Sequence, residues 1–369
     1  MYRNQTLIFA TFLTAMPVTA LADRVDDFVL EAMNRQRVPG LSLAVVRDGN
    51  IVKAQGYGLA NVEHQVPAKR ETIYQSGSVG KQFTATAVML LVEDGKLALD
   101  EPIRTYLPGA PETWSKVTVR HLLTHTGGAS GFYHEVNLRG DYTEDQQLQL
   151  AFDTSLDFAP GEKWQYSNTG YLVLGVLVSK VSGEFYGDFL RKRVFEPLDM
   201  KTARIISEAD IIPNRAAGYR FVNGQLKNQE WVSPSVNTTG DGALYLTVDD
   251  MIKWDTALHT EKLLKKKSLD EMWKPAKTND GKPTNYGFGW FIESVNGHKV
   301  IHHGGAWQGF TTCIRRYVDD RLTIIVLTNA AGPERSGGPG SNPQQIAEGV
   351  AAIYKPALAP LSEKAARDK

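Results

Sequence analysis

Short β-rich segments lie near both ends of the chain, and a long, mostly helical stretch separates them. Residues 41–46 and 51–57 flank Asp48-Gly49-Asn50, a sequence typical of a hairpin turn. Three further β-rich segments cover residues 287–294, 310–317 and 322–327. Because short consecutive strands favour antiparallel pairing, we expect both groups to form one antiparallel sheet of five strands. The predicted fold class is α/β, of the α+β type.

Helices are predicted to flank this sheet. Residues 23–37 and 345–354 have the apolar spacing of helices, and these terminal helices are expected to cover one face. The predicted sheet lobe therefore covers about residues 23–95 plus 275–356. The intervening residues, about 96–274, are expected to form a mostly helical second lobe. A cleft between the two lobes is where a ligand is expected to bind.

The composition excludes several classes of protein. Apolar residues make up 42% of the 369 residues, enough for a large core, so extended disorder is excluded. Lys plus Arg and Asp plus Glu both total 41, so no basic excess is available to neutralise the phosphates of a nucleic acid. A single cysteine excludes an internal disulfide scaffold.

The first 22 residues resemble a secretory signal peptide. A basic residue, Arg3, precedes an apolar stretch at residues 7–16, and Ala20-Leu21-Ala22 offers the small-x-small pattern of a cleavage site. We expect cleavage after Ala22, which leaves a net charge of −1. The apolar stretch is short for a bilayer span, so no stable membrane anchor is expected after cleavage. The predicted location is the periplasm or the medium.

The mature chain is expected to form one domain followed by a short tail. Residues 23–356 would form the domain, and residues 357–369 are polar and expected to fray. Cys313 lies in an apolar, β-branched context, which indicates a buried strand and a core side chain.

The sharpest local feature is the spacing of Ser78 and Lys81, at the start of an apolar helix predicted for residues 78–94. Residues three apart share a helix face, so the Lys81 amine can reach the Ser78 hydroxyl. A serine needs an adjacent base to become a nucleophile, and a lysine serves when burial keeps it neutral. Taken alone, the same spacing also arises by chance in chains of this length.

Two further segments carry polar side chains suited to catalysis. Tyr166-Ser167-Asn168 leads into a strongly apolar helix: Tyr166 could relay protons as a partial phenolate, and Asn168 could bind both Lys81 and a substrate amide. Alternatively, Asn168 merely caps that helix. His303-Gly304-Gly305-Ala306 has the glycines that let a substrate backbone approach a strand, or it is a glycine-rich turn with a surface histidine.

Together, these segments resemble the class C β-lactamase and penicillin-binding-protein-like serine hydrolase family. The resemblance covers about residues 23–355 and includes the stretches 121–128, 160–168, 196–198, 240–250 and 286–289. It implies a β-lactamase/transpeptidase-like fold and a reaction that needs no metal and no organic cofactor. The implied partner is a small-molecule or peptide substrate, such as a fragment derived from peptidoglycan.

The resemblance also implies a role for each site residue. Ser78 would be the acylated nucleophile, Lys81 its activator and Tyr166 the proton shuttle to the leaving group. Asn168 would position the substrate amide, and His303 and Gly305 would bind the substrate along a strand of the protein. The backbone N–H groups of Ser78 and Ala306 would form an oxyanion hole.

One residue departs from the β-lactamases of this family, which usually carry lysine where His303 stands. Histidine at this position resembles D-aminopeptidase-like and esterase-like members. A histidine holds a substrate carboxylate only when protonated, near or below its reference pKa of about 6.5. The expected function is therefore an exported serine hydrolase acting on D-amino-acid peptides or small esters. Efficient β-lactam hydrolysis is the alternative, and Arg315 and Arg316 would help to bind carboxylates if they faced the cleft.

Three other readings compete with this one. His121 and His125 have the i, i+4 spacing of zinc ligands, but no third ligand is nearby in the sequence. An α/β-hydrolase needs a G-x-S-x-G elbow, and the nearest match around Ser42 lacks the second glycine. A catalytically silent peptidoglycan-binding module is the third. Four aromatic residues are candidates for lining the cleft: Trp307, Trp231, Phe132 and Tyr133.

Overall fold

Seven antiparallel strands form the main sheet of the computed structural model, in the order β3-β2-β1-β12-β11-β10-β9. The model describes residues 18–129, 131, 136–334 and 338–360, with the backbone alone for residues 18–22. The strands of the described residues are β1 Gly40–Arg47, β2 Asn50–Asn61, β3 Val66–Pro67, β4 Tyr74–Gln75, β5 Arg204–Ile205, β6 Tyr219–Val222, β7 Gln225–Asn228, β8 Leu244–Leu246, β9 Phe291–Val295, β10 His298–Trp307, β11 Phe310–Tyr317 and β12 Leu322–Thr328. Strands β4, β8 and β5 form a small second sheet, and β6 pairs with β7.

The sheet joins the two ends of the chain, as the sequence predicts, but five strands was the wrong number. Strand β1 pairs with β2 on one side and with β12 on the other, where Leu41 lies opposite Thr328. The two additional strands are β3 and β10. Strand β3 is only two residues long and contains a proline, so it has no alternating pattern. Strand β10 contains a His-His-Gly-Gly run, which lacks the β-branched and apolar residues that indicate a strand in the sequence.

The α-helices of the described residues are α1 Val18–Gln36, α2 Lys81–Glu93, α3 Val119–Leu123, α4 Glu144–Asp153, α5 Asn168–Ser182, α6 Tyr186–Leu190, α7 Val248–Ala257, α8 Lys266–Met272 and α9 Pro343–Tyr354. Helix α9 packs on β11 and β12 and against α1, so the terminal helices cover one face of the sheet. Side chains from α1, α9 and the strands form one apolar cluster there, which includes the buried Cys313. Burial raises the pKa of the Cys313 thiol to about 12.

The other face of the sheet contacts α7, and a second, larger cluster joins it to α2 and α5. Helix α7 belongs to the stretch assigned to the helical lobe, yet it packs on β1 and β12. The division into two lobes stays a prediction. Within the described residues, no helix combines the length and the apolar character needed to cross a bilayer. The signal-peptide prediction falls mostly on residues 1–17, outside the described residues, as does the tail beyond residue 360.

A buried ion pair fastens α7 to the sheet, and its loss is expected to destabilise the protein. Arg316 Nε lies 2.7 Å from Asp255 Oδ1, with side chains 3% and 2% exposed, and Thr323 Oγ1 donates to the same oxygen. Asp255→Ala leaves the guanidinium buried without its partner, so we expect a loss of about 3–5 kcal/mol in the free energy of unfolding. Urea denaturation measures this. The control is Asp270→Ala, which breaks an exposed pair with Lys266 and should change little; similar midpoints for both variants would contradict the prediction.

Candidate active site

Ser78 lies in a single 3-10 turn, Gly77–Gly80, which runs directly into α2. The chain enters this turn from β4, so the serine stands where a short strand meets a helix. Lys81 is the first residue of α2, and its Nζ donates a hydrogen bond of 3.1 Å to Ser78 Oγ. The structure therefore brings together the two side chains that the sequence singled out.

The Lys81 ammonium is completely buried and surrounded by acceptors. Its Nζ donates to Asn168 Oδ1 at 2.7 Å and to the main-chain carbonyl of Asp241 at 2.6 Å, besides Ser78. Burial lowers the pKa of Lys81 to about 8, although the negative charge of Asp241 partly opposes the shift. With this pKa, about a tenth of the amine is neutral at pH 7, and a neutral amine can accept the Ser78 proton.

The Tyr166 hydroxyl faces the same serine. Burial raises the pKa of Tyr166 strongly, and its interaction with the Ser78 hydroxyl lowers that pKa only in part. The two hydroxyls are not aligned for a full hydrogen bond, and the buried Tyr166 Oη has no other partner among the described residues. The neutral phenol is favoured over the partial phenolate that the sequence suggested. A neutral phenol can still pass a proton between Ser78 and a leaving group.

Asn168 is not the cap of its helix. Ser167 takes that position, because its Oγ accepts a hydrogen bond of 2.9 Å from the Gly170 N–H. Asn168 is then free to turn its side chain towards Lys81, and it also lines the cavity beside Ser78. Of the two alternatives drawn from the sequence, the contact with Lys81 is the one observed.

The β10–β11 hairpin presents the Ala306 N–H to the site. Its turn residues Gln308 and Gly309 have φ of 51° and 79°, the geometry of a type I′ turn. In such a hairpin the pair flanking the turn is hydrogen-bonded, so the next pair, Ala306 and Thr311, is not. The Ala306 N–H therefore points away from β11. Strand β9 leaves that side open, because its pairing with β10 ends at His302.

Two glycines allow the hairpin to approach the Ser78 turn. Gly77 has φ of +50°, and a Cβ on it would lie 2.4 Å from the Ala306 nitrogen. A Cβ on Gly305 would lie 2.1 Å from Ser76 O and 3.0 Å from the Ser78 nitrogen. Only residues without a side chain fit this contact. The backbone nitrogens of Ser78 and Ala306 are thereby held close together, as an oxyanion hole requires.

Hydrogen bonds lock this approach in place across three distant parts of the chain. Thr312 Oγ1, from β11, donates to the main-chain carbonyl of Ser76 at 2.6 Å. The Ser76 hydroxyl in turn donates to the carbonyl of Gly242 at 2.9 Å. The segment carrying the serine is therefore fixed between the last part of the sheet and the loop that precedes β8.

His303 is neutral and its tautomer is defined. Its Nδ1 lies 2.6 Å from the carbonyl oxygen of Gly304, so Nδ1 carries the proton and donates. Its Nε2 therefore accepts, at 2.9 Å, from the Tyr286 hydroxyl. Burial, aided by the positive charge of Lys81, lowers the pKa of His303 to about 3. The positive charge that a protonated histidine would offer to a substrate carboxylate is therefore absent at neutral pH.

A cavity of about 200 Å³ opens beside Ser78. It is lined by Gly77, Ser78, Leu138, Asn168, Val236, Thr239, Asp241, Gly242, Ala243, Ala306 and Trp307. A larger cavity of about 780 Å³ lies near Phe185, but none of the predicted site residues lines it. The smaller cavity is therefore the candidate substrate site, because it contains the nucleophile candidate and the Ala306 backbone.

The four aromatic residues that were candidates for lining the cleft have different outcomes. Trp307 lines the cavity, and its Nε1 donates to Asn237 Oδ1 at 2.7 Å. Trp231 does not line it and is 56% exposed. Phe132 and Tyr133 lie outside the described residues.

Arg315 and Arg316 do not face the cleft, which corrects the suggestion that they bind a substrate carboxylate. As neighbours on β11 they point to opposite faces of the sheet. Arg316 pairs with Asp255 of α7, as described above. Arg315, only 2% exposed, lies 3.2 Å from Glu348 of α9 on the other face. Both guanidinium groups therefore form ion pairs that hold helices against the sheet.

The sequence suggested His125 only as a zinc ligand, whereas in the structure it supports the Tyr166 segment. Its Nδ1 accepts a hydrogen bond of 3.1 Å from the Ser167 N–H, and its ring centroid lies 4.3 Å from that of Tyr166. Burial keeps the pKa of His125 well below its usual value, so the ring is neutral. The only sequence signal for this role was that the family resemblance includes the 121–128 stretch.

The contacts of His121, His125 and Ser42 give no support to the zinc-site and α/β-hydrolase alternatives. His121 Nδ1 accepts from the Thr118 N–H, whereas His125 Nδ1 accepts from Ser167, so the two rings serve different backbone contacts. In the part of the chain that the structure describes, no three His, Cys, Asp or Glu side chains cluster as metal ligands would. Ser42 lies buried in β1 and donates to the carbonyl of Lys69.

Comparison with known proteins agrees with this geometry. The β-lactamase family model matches residues 25–343, most of the described chain. The chain belongs to the β-lactamase family. This family of penicillin-binding-protein-like serine hydrolases also includes D-aminopeptidases, so the resemblance stated from the sequence is confirmed.

Three relatives show the range of this β-lactamase family around the chain. A penicillin-binding protein of Bacillus subtilis is 30% identical over 302 residues, covering 76% of the chain and 66% of the relative. The D-aminopeptidase of Gluconobacter oxydans is 26% identical over 327 residues, covering 86% and 60%. The solved D-amino acid amidase of Ochrobactrum anthropi SV3, in complex with L-phenylalanine amide, has a TM-score of 0.77 at 25% identity, covering 92% and 97%. The chain thus spans two thirds or less of the first two relatives.

Proposed function

We propose that this protein is an exported serine hydrolase that cleaves amide or ester bonds through an acyl-enzyme at Ser78. The observation that carries the proposal is the hydrogen bond between the buried Lys81 amine and Ser78 Oγ. The pKa of about 8 for that amine makes it an effective base near neutral pH. Membership of a serine hydrolase family supports the same assignment.

In the proposed reaction, Ser78 Oγ attacks the substrate carbonyl while Lys81 Nζ accepts its proton. The N–H groups of Ser78 and Ala306 stabilise the negative charge that develops on the carbonyl oxygen. Tyr166 carries the proton to the leaving amine or alcohol, whose bond to the acyl carbon breaks. Water then attacks the Ser78 ester by the reverse proton path. Asn168 holds Lys81 in place and contacts the substrate amide.

The substrate class that fits best is a D-amino-acid amide or peptide, including peptidoglycan fragments, or a small carboxylic ester. The names of two relatives, a D-aminopeptidase and a D-amino acid amidase, support the first of these. The neutral His303 removes the fixed cation that would hold a penicillin carboxylate. A β-lactamase activity resembling class C enzymes remains the second candidate, because the Ser78–Lys81–Tyr166 set is the one that the family resemblance assigns to β-lactam acylation.

Intact-mass spectrometry of the mature protein tests this proposal. We expect a covalent adduct after incubation with D-amino-acid amides or p-nitrophenyl esters, and a slower or smaller adduct with penicillins. A fluorophosphonate probe should label the same serine. A folded protein that gives no adduct and no label would instead indicate the catalytically silent peptidoglycan-binding module.

Export completes the proposal. The charged start, the apolar stretch and the Ala20-Leu21-Ala22 pattern support removal of residues 1–22 and a periplasmic or secreted enzyme. N-terminal sequencing of the protein recovered from cells and from the medium locates the cut. A mature chain beginning at Asp23 is expected.

A further inference from the structure

His125 has a backbone conformation that residues with a side chain rarely adopt. Its φ is +59°, in the left-handed region, and only 1% of the residue is exposed. Such a conformation persists where the surrounding structure holds it, and it is found most often at functional sites. A glycine would adopt it more easily. The contacts of the buried imidazole therefore indicate why a histidine stands here.

His125 forms hydrogen bonds to the residues on both sides of Tyr166. Its main-chain carbonyl accepts from the Gln165 N–H at 2.9 Å, and its Nδ1 accepts from the Ser167 N–H at 3.1 Å. The imidazole also packs on the Tyr166 ring, with the two ring centroids 4.3 Å apart. One histidine therefore holds the backbone before Tyr166, the backbone after it and the ring itself. Two of these three contacts, the bond to Ser167 and the ring packing, depend on the imidazole.

The Tyr166 hydroxyl, in contrast, has no fixed partner. Its buried Oη forms no well-aligned hydrogen bond within the described part of the chain. A proton shuttle needs this freedom, because its hydroxyl must face Ser78 in one step and the leaving group in another. Among the described residues, the nearest other aromatic ring, that of His303, has its centroid 6.0 Å from that of Tyr166. The direction of the hydroxyl is therefore set mainly by the contacts with His125.

We propose that His125 is a positioning residue that holds the Tyr166 hydroxyl where it can protonate the leaving group. This role rests on the proposed function, because it concerns the acylation of Ser78. As the bond between the acyl carbon and the leaving group breaks, Tyr166 gives its hydroxyl proton to the departing oxygen or nitrogen. The proton that Ser78 loses replaces it, so the site gains and loses no net charge. Without the imidazole, the Ser167 N–H loses its acceptor and the Tyr166 ring loses its nearest neighbour, so the proton donor moves away from the leaving group.

Two esters of one acid separate this role from general damage to the site. The p-nitrophenolate group of p-nitrophenyl butyrate is a stable anion that departs without a proton, whereas the ethoxide group of ethyl butyrate needs one. Both esters form the same acyl-enzyme, and kcat/KM reports the step that forms it. We define the ester ratio as kcat/KM for the ethyl ester divided by kcat/KM for the p-nitrophenyl ester. A loss of folded protein or of Ser78 reactivity lowers both values and leaves the ester ratio unchanged.

Three variants measure how much the ester ratio depends on the imidazole. His125→Gly accepts the left-handed backbone but removes the ring, so we expect the ester ratio to fall by about tenfold or more. Tyr166→Phe has no hydroxyl proton to give, so it should lower the ratio by about a hundredfold or more. His125→Asn tolerates the same backbone and offers Oδ1 as an acceptor for the Ser167 N–H. Its ester ratio should therefore exceed that of His125→Gly by about threefold or more.

The matched control is His121→Ala. His121 lies four residues earlier, and its Nδ1 likewise accepts a main-chain N–H, that of Thr118. The variant therefore loses a comparable contact that does not lead to Tyr166, and its ester ratio should stay at the wild-type value. If His125→Gly fails to fold by circular dichroism, His125→Leu takes its place, because leucine fills the space but accepts no hydrogen bond.

The possible failures are distinguishable. A wild-type ester ratio in the variant without the imidazole, an equal fall in His121→Ala, or no gain in His125→Asn would overturn the inference, while adduct formation at Ser78 would still support the proposed function. A wild-type ester ratio in Tyr166→Phe would exclude Tyr166 as the proton donor, and it would overturn both the inference and that step of the proposed reaction. If no substrate or probe acylates Ser78, the inference and the proposed function fail together.

Discussion

Ser78→Ala is expected to abolish adduct formation and to lower turnover to less than about one hundredth of the wild-type rate. Alanine removes the only atom that the proposed mechanism uses to form the covalent bond. The methyl group fits where the hydroxymethylene group stood, so the fold should be kept. Turnover of a p-nitrophenyl ester, fluorophosphonate labelling and circular dichroism measure these three outcomes together.

The matched control for this variant is Ser294→Ala, which changes an exposed serine on β9. It should label and turn over as the wild type does. Residual turnover of Ser78→Ala above about a hundredth of wild type, with an unchanged circular dichroism spectrum, would refute the assignment of Ser78 as nucleophile. A labelled Ser78→Ala protein would place the nucleophile at another residue.

Lys81→Arg is expected to lower kcat/KM by about a hundredfold to ten-thousandfold, the usual contribution of a general base. An arginine keeps its proton at every working pH, so it cannot accept the proton of Ser78. In the wild type, the proposed base is active only when neutral. Since the pKa of Lys81 is about 8, the neutral fraction and therefore kcat/KM should rise with pH and reach half of their plateau near pH 8.

Initial rates with a neutral ester, measured from about pH 6 to about pH 10, provide this profile. Lys262→Arg, at an exposed position, is the control and should keep both the rate and the midpoint. A flat wild-type profile across this range, or near-normal activity of Lys81→Arg, would show that Lys81 does not act as the base. An Asp241→Asn variant should move the midpoint to lower pH, because the Asp241 charge raises the pKa of Lys81.

The pair at the centre of the site could be predicted because it is local. Ser78 and Lys81 are three residues apart, and helix geometry alone brings their side chains together. The next partner, Asn168, was named from the residues only as one of two alternatives, and the family resemblance favoured its role in the site. Nothing in its spacing from Lys81 shows that an 87-residue excursion returns to within hydrogen-bond distance.

Asp241 and His125 could not be assigned roles from the sequence for a different reason. An aspartate between two glycines reads as a turn residue, and only the folded chain shows that its carboxylate lines a cavity next to Ser78. His125 reads as half of an incomplete metal motif, whereas its function in the structure is to accept the Ser167 N–H. In both cases the role depends on tertiary contacts, which the periodicity of apolar residues in the sequence does not show.

The errors in the fold prediction have a similar physical origin. Strand β10 is paired on both sides along part of its length, so hydrogen bonding holds its His-His-Gly-Gly run in a sheet despite low strand propensity. The alternation of side chains along a strand could have limited one prediction before the structure was known, the suggestion that both arginines of β11 face the cleft. Adjacent residues such as Arg315 and Arg316 point to opposite faces, so at most one of them could have faced the cleft.

The hydrogen bond from Thr312 to the carbonyl of Ser76 joins residues 236 positions apart, and it has a consequence for how the protein is made. During synthesis, the Ser78 segment is made long before the hairpin that supplies the Ala306 N–H group. The candidate site is therefore incomplete in any partly made chain. It is assembled only when the last strands close the sheet, which makes it one of the late products of folding.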